Sequence, residues 1–260
     1  VMSEIKLSRR IRLGMVGGGQ GSLIGEAHRI ASRLDDKYEF CAGSLSSDPA
    51  RSMASAKELG LSLDRSYSDY NEMANSEAVR NDGIDVVAVV TPNNTHYAIA
   101  KTFLEAGIHV ICDKPMTLTV EEADSLREIA KRNHKILAVT YNYTGYAMVR
   151  EAREIIARGD LGKIRVVQAH YAQDWLTNRI ELEGQKQAAW RTDPSKSGVG
   201  GTINDVGTHA YHLACFVSGL KLESLCADLS TFVEGRLLDD NAHILLRFKG
   251  GAKGMLWASQ

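Results

Sequence analysis

Residues 12–29 read RLGMVGGGQGSLIGEAHR: five residues of strand character, a burst of glycine, then an amphipathic stretch. Gly17 and Gly19 stand where a strand must turn sharply into a helix and where backbone N–H groups can approach a pyrophosphate at the positive end of a helix dipole. The third glycine of the usual G-x-G-x-x-G spacing is Ser22. Gly25, three residues later, is the better match, and Gly21 lies between. Alone, so degenerate a fingerprint fits a flexible glycine turn as well as a nucleotide loop. Its surroundings decide.

From Arg12 to Tyr141, short apolar runs alternate with stretches of helical period. The strand candidates are RLGMV (12–16), YEFCAG (38–43), DVVAVV (85–90), HVIC (109–112) and KILAVT (135–140), and the helical stretches are 25–34, 48–59, 95–106 and 120–133. This alternation predicts an α/β fold, a Rossmann domain with a doubly wound parallel sheet over residues 1–141. A helix over 148–158 follows. Beyond it the pattern changes to longer strands, IRVVQAHYA (164–172), ESLCADLSTF (223–232), NAHILLRF (241–248) and KGMLWAS (253–259), interrupted by one helix from about Asp205 to Val217. These predict an α+β domain over 142–260 with a largely antiparallel open sheet. Because Trp257 to Gln260 stop inside a strand, the natural protein is expected to continue and the second domain to be incomplete.

Composition narrows the function. Lys plus Arg (31) nearly equals Asp plus Glu (32), so no cationic excess exists to collect nucleic-acid phosphates. No apolar run reaches membrane-spanning length, and the start lacks a secretory signal, which together predict a cytoplasmic protein. Cys41, Cys112, Cys215 and Cys226 form no CxxC pair and read as reduced core thiols.

At the end of the second strand candidate, where an NAD-preferring site offers a carboxylate to the adenosine ribose, the chain reads AGSLSSDPAR (42–51). Ser46 and Ser47 hold that place, with Asp48 slightly late and Arg51 a turn further. Hydroxyls accept a 2′-phosphate without repulsion and Arg51 can pair with it, while Asp48 can still reach a ribose. The cofactor is thus NAD or NADP.

Two more stretches carry a family resemblance. VVTPNNTHYAIAKTFLEAGIHVICDKPMTLT (89–119), with its TPNxxH turn and CDKP segment, and AWRTDPSKSGVGGTINDVGTHAYH (189–212), a glycine-rich run leading into D-x-x-x-H, resemble the Gfo/Idh/MocA oxidoreductases in order and spacing. The family usually has Glu-Lys-Pro where this chain has Asp113, Lys114 and Pro115. The resemblance implies hydride transfer between a nicotinamide and a carbinol of a sugar or polyol such as an inositol. It implies no metal, and a homodimer or homotetramer. It also implies cofactor contacts from Gly17, Gly19, Gly21, Ser22, Gly25, Ser46, Ser47, Thr91, Pro92, Asn93, His96, Asp113, Lys114 and Asn142. Lys114 is expected at the end of a fifth strand and Asn142 after a sixth. The family's common Arg-Phe pair is replaced by Tyr143 and Thr144, and a frequent Asp by His212.

The residues support catalytic roles independently. In an open parallel sheet, ligands bind outside the carboxyl ends of the strands, so Lys114 faces the cofactor crevice. Asp205 and His209, four apart, share a helical face. His212 joins that face, which admits a weaker reading of the three as metal ligands. Trp190 and Arg191 suit a carbohydrate pocket, the indole packing on C–H groups and the guanidinium holding hydroxyls, and suit interdomain packing equally. Two rival functions are an NAD-dependent glycosidase and a non-enzymatic dinucleotide sensor; a Lys114, Asp205, His209 proton relay disfavours the sensor.

Overall fold

The computed structural model describes residues 8–260, and the chain divides into two compact units, the first ending at Thr140 and the second running from Tyr141 to Gln260.

In the first unit β1 (Ile11–Gly17), α1 (Leu23–Leu34), β2 (Tyr38–Ser44), α2 (Pro49–Glu58), α3 (Tyr70–Val79), β3 (Val86–Val90), α4 (His96–Glu105), β4 (His109–Cys112), α5 (Val120–Arg132) and β5 (Leu137–Val139) follow one another. The strands pair in parallel in the order β2-β1-β3-β4-β5. Winding reverses between β1 and β3, the switch point at which such sheets bind ligands. All five β3 residues are buried, as a strand covered on both faces requires. Val87 and Val89 pack on one side with Ile99, Phe103, Leu104 and Leu126, while Val86, Ala88 and Val90 pack on the other with Leu13, Met15, Leu45 and Ala56. Ser22, Asp48, Asp69 and Thr119 cap α1, α2, α3 and α5 through their side-chain oxygens.

Two expectations need correction. The sheet has five strands, so Lys114 follows the fourth and Asn142 the fifth. Where a further edge strand would pair with β2, only Ser66 bridges Gly43. The 3₁₀ turn Leu63–Arg65 and the Asp69 cap of α3 leave too little chain between them for a ladder. The second correction is α3 itself, which the apolar periodicity hides. Its inner face buries Met73 and Ala74 but also Glu77, so a charge interrupts the stripe.

The second unit contains α6 (Ala147–Ala157), β6 (Val166–Ala172), the short helices α7 (Lys186–Arg191) and α8 (Pro194–Ser197), α9 (Thr208–Ser218), β7 (Leu222–Ser230), β8 (Asn241–Phe248) and β9 (Lys253–Ser259). Its sheet runs β6-β9-β8-β7, with β6 parallel to β9 and the other pairs antiparallel. One face, carrying Ala242, Ile244, Leu246, Leu256 and Ala258, packs with Val206 and Ala210 into a core. On the other face Leu245 is 62% exposed, Met255 45% and Trp257 36%. Cys226 is exposed on β7, so it is not a core thiol; all four cysteines are free. β7 is an edge strand, and Cys226 lies beside Leu245 on the uncovered face.

Candidate active site

In the first unit the glycine loop closes the carboxyl end of β1. Gly17 and Gly18 have φ of 79° and 76°, a region that favours glycine, and a Cβ on Gly17 would meet the Val90 carbonyl at 2.9 Å. Gly25 lies against the Gly18 backbone, where any side chain would collide. It therefore fills the helix-packing place of the third glycine despite the longer loop. Ser22 Oγ accepts the Gly25 N–H at 3.2 Å, and Arg29 donates to the Gly18 carbonyl at 2.7 Å. The loop is thus preshaped, with the first turn of α1 behind it, which fits a pyrophosphate. Gly21, with φ of 75°, has open space where a side chain would be.

Beside it, Ser46 Oγ accepts the Asp48 N–H at 3.1 Å, and Asp48 Oδ1 accepts the Arg51 N–H at 2.8 Å as the cap of α2. The Arg51 guanidinium reaches back to the Gln20 carbonyl at 3.4 Å. Ser47 is exposed next to them.

After β3, the Thr91 hydroxyl receives the Thr95 hydroxyl at 2.7 Å, and Pro92 and the buried Asn93 begin a 3₁₀ turn into α4. His96, expected among the cofactor contacts, is instead 1% exposed, with both ring nitrogens 2.8 Å from protein oxygens, the Thr91 and Pro115 carbonyls. After β4, Asp113 accepts from His28 Nε2 at 2.9 Å and from Thr140 Oγ1 at 2.7 Å. Burial pushes this carboxyl up, but the bond from His28, its charge, the Thr140 hydroxyl and the charge of His96 outweigh that and hold it below the usual range. Lys114, partly buried, follows in the same turn.

In the second unit the helix carrying Asp205 starts earlier than its periodicity suggests. A π-turn, Ile203–Gly207, precedes α9. Asp239 secures its start, accepting the Gly201 N–H at 2.7 Å and the Ile203 N–H at 2.8 Å. The Asp239 backbone lies where a Gly201 side chain would be, so at this glycine the close approach is to protein. Asp205 Oδ2 accepts from Arg191 Nε at 3.2 Å and from Gln260 Nε2 at 2.9 Å. The Arg191 guanidinium lies 4.2 Å over the Trp190 ring, whose indole N–H goes to Gln187.

His209 is 8% exposed and ringed by tyrosines, with the Tyr143, Tyr141 and Tyr171 centroids at 4.8, 5.8 and 6.3 Å. The Tyr143 and Tyr171 hydroxyls are 2.5 Å apart. From Tyr171 the polar chain continues through Gln173 to Gln260, and so to Asp205. His212 stacks on Tyr141 at 3.9 Å. Asn142 is exposed at the start of the 3₁₀ turn Asn142–Gly145. Among the described residues no three His, Cys, Asp or Glu gather closely enough to hold a metal ion. The sequence reading did not single out His28, Tyr171, Gln173, Asp239 or Gln260. Only Tyr171, an aromatic on a strand of the second domain, left a signal there.

A parallel sheet with a preshaped glycine loop at its switch point, followed by an α+β unit, defines a Rossmann-type dinucleotide-binding protein with a second domain. The chain belongs to the Gfo/Idh/MocA family: residues 11–141 match the oxidoreductase family's NAD-binding Rossmann fold and residues 149–260 its GFO/IDH/MocA C-terminal domain. It is 38% identical to the uncharacterized oxidoreductase YfiI of Bacillus subtilis, over 97% of this chain and 65% of that protein. An Azotobacter vinelandii inositol dehydrogenase homolog solved with NAD+ superposes with a TM-score of 0.94 at 41% identity, over 98% of this chain and 66% of that one. An inositol dehydrogenase homolog from Azotobacter vinelandii solved with NADH and myo-inositol gives 0.90 at 39%, over 97% and 65%. This chain thus spans about two thirds of these relatives' length. Among the described residues no helix is long and apolar enough to cross a membrane.

Proposed function

We propose that this chain belongs to an NAD(P)-dependent dehydrogenase or reductase acting on one secondary carbinol of a sugar or cyclic polyol, an inositol being the leading candidate. The observation that carries it is the pairing, on one sheet edge, of a loop shaped for a pyrophosphate with a turn that ends β4 in Asp113 and Lys114. The Azotobacter relative seen with NADH and myo-inositol supports the substrate class. Bound nicotinamide supplies the hydride acceptor, or the donor in the reverse direction. The protein must handle the proton. His209 as a neutral imidazole takes the carbinol proton, and Asp205, fixed by Arg191 and Gln260, holds a neighbouring hydroxyl or orients the ring. Lys114, cationic, stabilises the developing alkoxide.

The test is steady-state oxidation of an inositol and pyranose panel with both cofactors, using the full-length protein. His209→Ala should lower kcat by about 10²-fold with NADH binding nearly unchanged, and Lys114→Ala should lower kcat by at least as much. A His209→Ala enzyme of wild-type turnover and unchanged pH profile would refute the base and make Lys114 the leading alternative. Release of free aglycone from a glycoside, with cofactor retained, would indicate the glycosidase instead.

A further inference from the structure

His96 opens α4 in the interior of the first unit, and both its ring nitrogens face acceptors. Nε2 lies 2.8 Å from the Thr91 carbonyl oxygen and Nδ1 2.8 Å from the Pro115 carbonyl oxygen. A carbonyl oxygen only accepts, and a neutral imidazole carries a single N–H. In either neutral tautomer, one ring lone pair would point at a carbonyl lone pair inside the protein, an arrangement that buried polar groups avoid. Two acceptors call for two donors.

The resulting charge has a counter-ion nearby. Asp113 is largely buried and takes hydrogen bonds from His28 and Thr140, which help hold its carboxyl below the usual range against burial. The other ionisable groups in this region are His28 on α1, Lys114 next to Asp113 in the chain, and the Cys112 thiol, which burial keeps protonated. The polar contacts that α5 and α3 make to α4 are uncharged, Ser125 to Tyr97 and Asn71 to Thr102.

We propose that His96 is held as the doubly protonated imidazolium, tying the Thr91 turn to the Lys114–Pro115 turn, and that it is a positioning residue for Lys114. Asp113 and His28 extend the tie to α1, whose first turn follows the glycine loop. The arrangement therefore links the segment that receives the dinucleotide to the segment that carries the lysine. The positioning half rests on the role given to Lys114 above. The protonation half stands apart from it.

The first experiment is nitrogen NMR of the full chain with ¹⁵N-histidine, using His96→Gln to identify the signal. Two ring nitrogens of similar, protonated-type shift at neutral pH are expected; a widely split pair, the mark of one neutral tautomer, overturns the imidazolium. The second is amide exchange at residues 91–96 and 113–117. In the wild type, exchange corrected for its intrinsic rate should accelerate as the pH is raised and the ring loses its second proton. In His96→Gln it should be at least about tenfold faster near neutral pH and insensitive to that change. With the polyol substrate, kcat of His96→Gln should fall about tenfold, with KM and NADH affinity each within about threefold of wild type. Wild-type exchange in the variant, or wild-type kcat with an unchanged pH profile, overturns the positioning role. Should the variant fail to fold, the wild-type nitrogen spectrum and the pH dependence of wild-type exchange decide. Should no polyol be turned over, those two readouts still do.

Discussion

Arg191 joins an aromatic ring to a carboxylate: its guanidinium lies 4.2 Å over the Trp190 ring while Nε donates to Asp205 Oδ2 at 3.2 Å. The flat fork that stacks and donates at once is what lysine lacks. Arg191→Ala is expected to lower kcat/KM by about tenfold or more, and Arg191→Lys to fall between it and wild type, with NADH affinity unchanged in both. Wild-type kcat/KM in Arg191→Ala would show that Asp205 does not need Arg191.

The preference between cofactors is expected to rest on Arg51. Asp48 spends one carboxylate oxygen capping α2, while the Arg51 guanidinium lies across to the Gln20 carbonyl, beside the Ser46 and Ser47 hydroxyls. Fluorescence titration of Arg51→Ala should show NADPH affinity falling about tenfold while NADH affinity shifts little, since only the former carries the 2′-phosphate. Equal losses would place Arg51 on the shared part of the cofactor.

Much of this was legible in the sequence, and the parts that were not share a cause. Strands such as VVAVV (86–90) announce themselves because burial on both faces leaves no polar residue in them. α3 is hidden because Glu77 sits among its inward residues, its charge met by Arg65 and Tyr67, which lie outside the helix. In the second unit, D-x-x-x-H was plain, but Asp239, which secures the π-turn, is 34 residues beyond Asp205 in a loop of its own. Long-range capping leaves no periodic trace. His96 was visible within TPNxxH, whereas its second partner, a proline carbonyl, has no side-chain signature.

Glu77 is the buried charge on which the first unit's stability should depend most. It takes Arg65 Nε at 3.1 Å, the Tyr67 hydroxyl at 2.9 Å and the Ile84 N–H at 3.0 Å, and its side chain is 0% exposed. The Tyr67 phenol is pushed up to about 12 by burial and by Glu77. Glu77→Ala leaves the buried Arg65 cation with the exposed Asp82 carboxylate at 3.8 Å and should cost about 3–5 kcal/mol in urea unfolding. Glu77→Gln, which keeps an acceptor, should cost less.

His212 should make stability pH-dependent. Burial lowers its folded value below the unfolded one, so the unfolded chain binds the proton more readily. Its contribution therefore weakens as the pH falls through the unfolded value of about 6.5, and levels off below the folded one. In His212→Phe, which keeps a ring on Tyr141, thermal melts from pH 8 to 5 should lose that component. An unchanged pH slope would assign it elsewhere.

The exposed face bearing Leu245, Met255 and Trp257 is expected to be covered by a second copy of the protein. Sedimentation of the full-length protein should show a dimer or tetramer, and Leu245→Asp should shift it toward monomer. A wild-type monomer at micromolar concentration would contradict this.

The π-turn at Ile203–Gly207 also marks where the chain is sensitive to length. Each residue advances an α-helix by about 100°, so losing Val206 or Gly207, with the turn relaxing to α-helical form, would turn Asp205 relative to His209. A single-codon deletion there would exchange the carboxylate for a neighbouring side chain while sparing every residue of α9. Chain length at this turn, and not residue identity alone, therefore sets which side chain shares a helical face with His209.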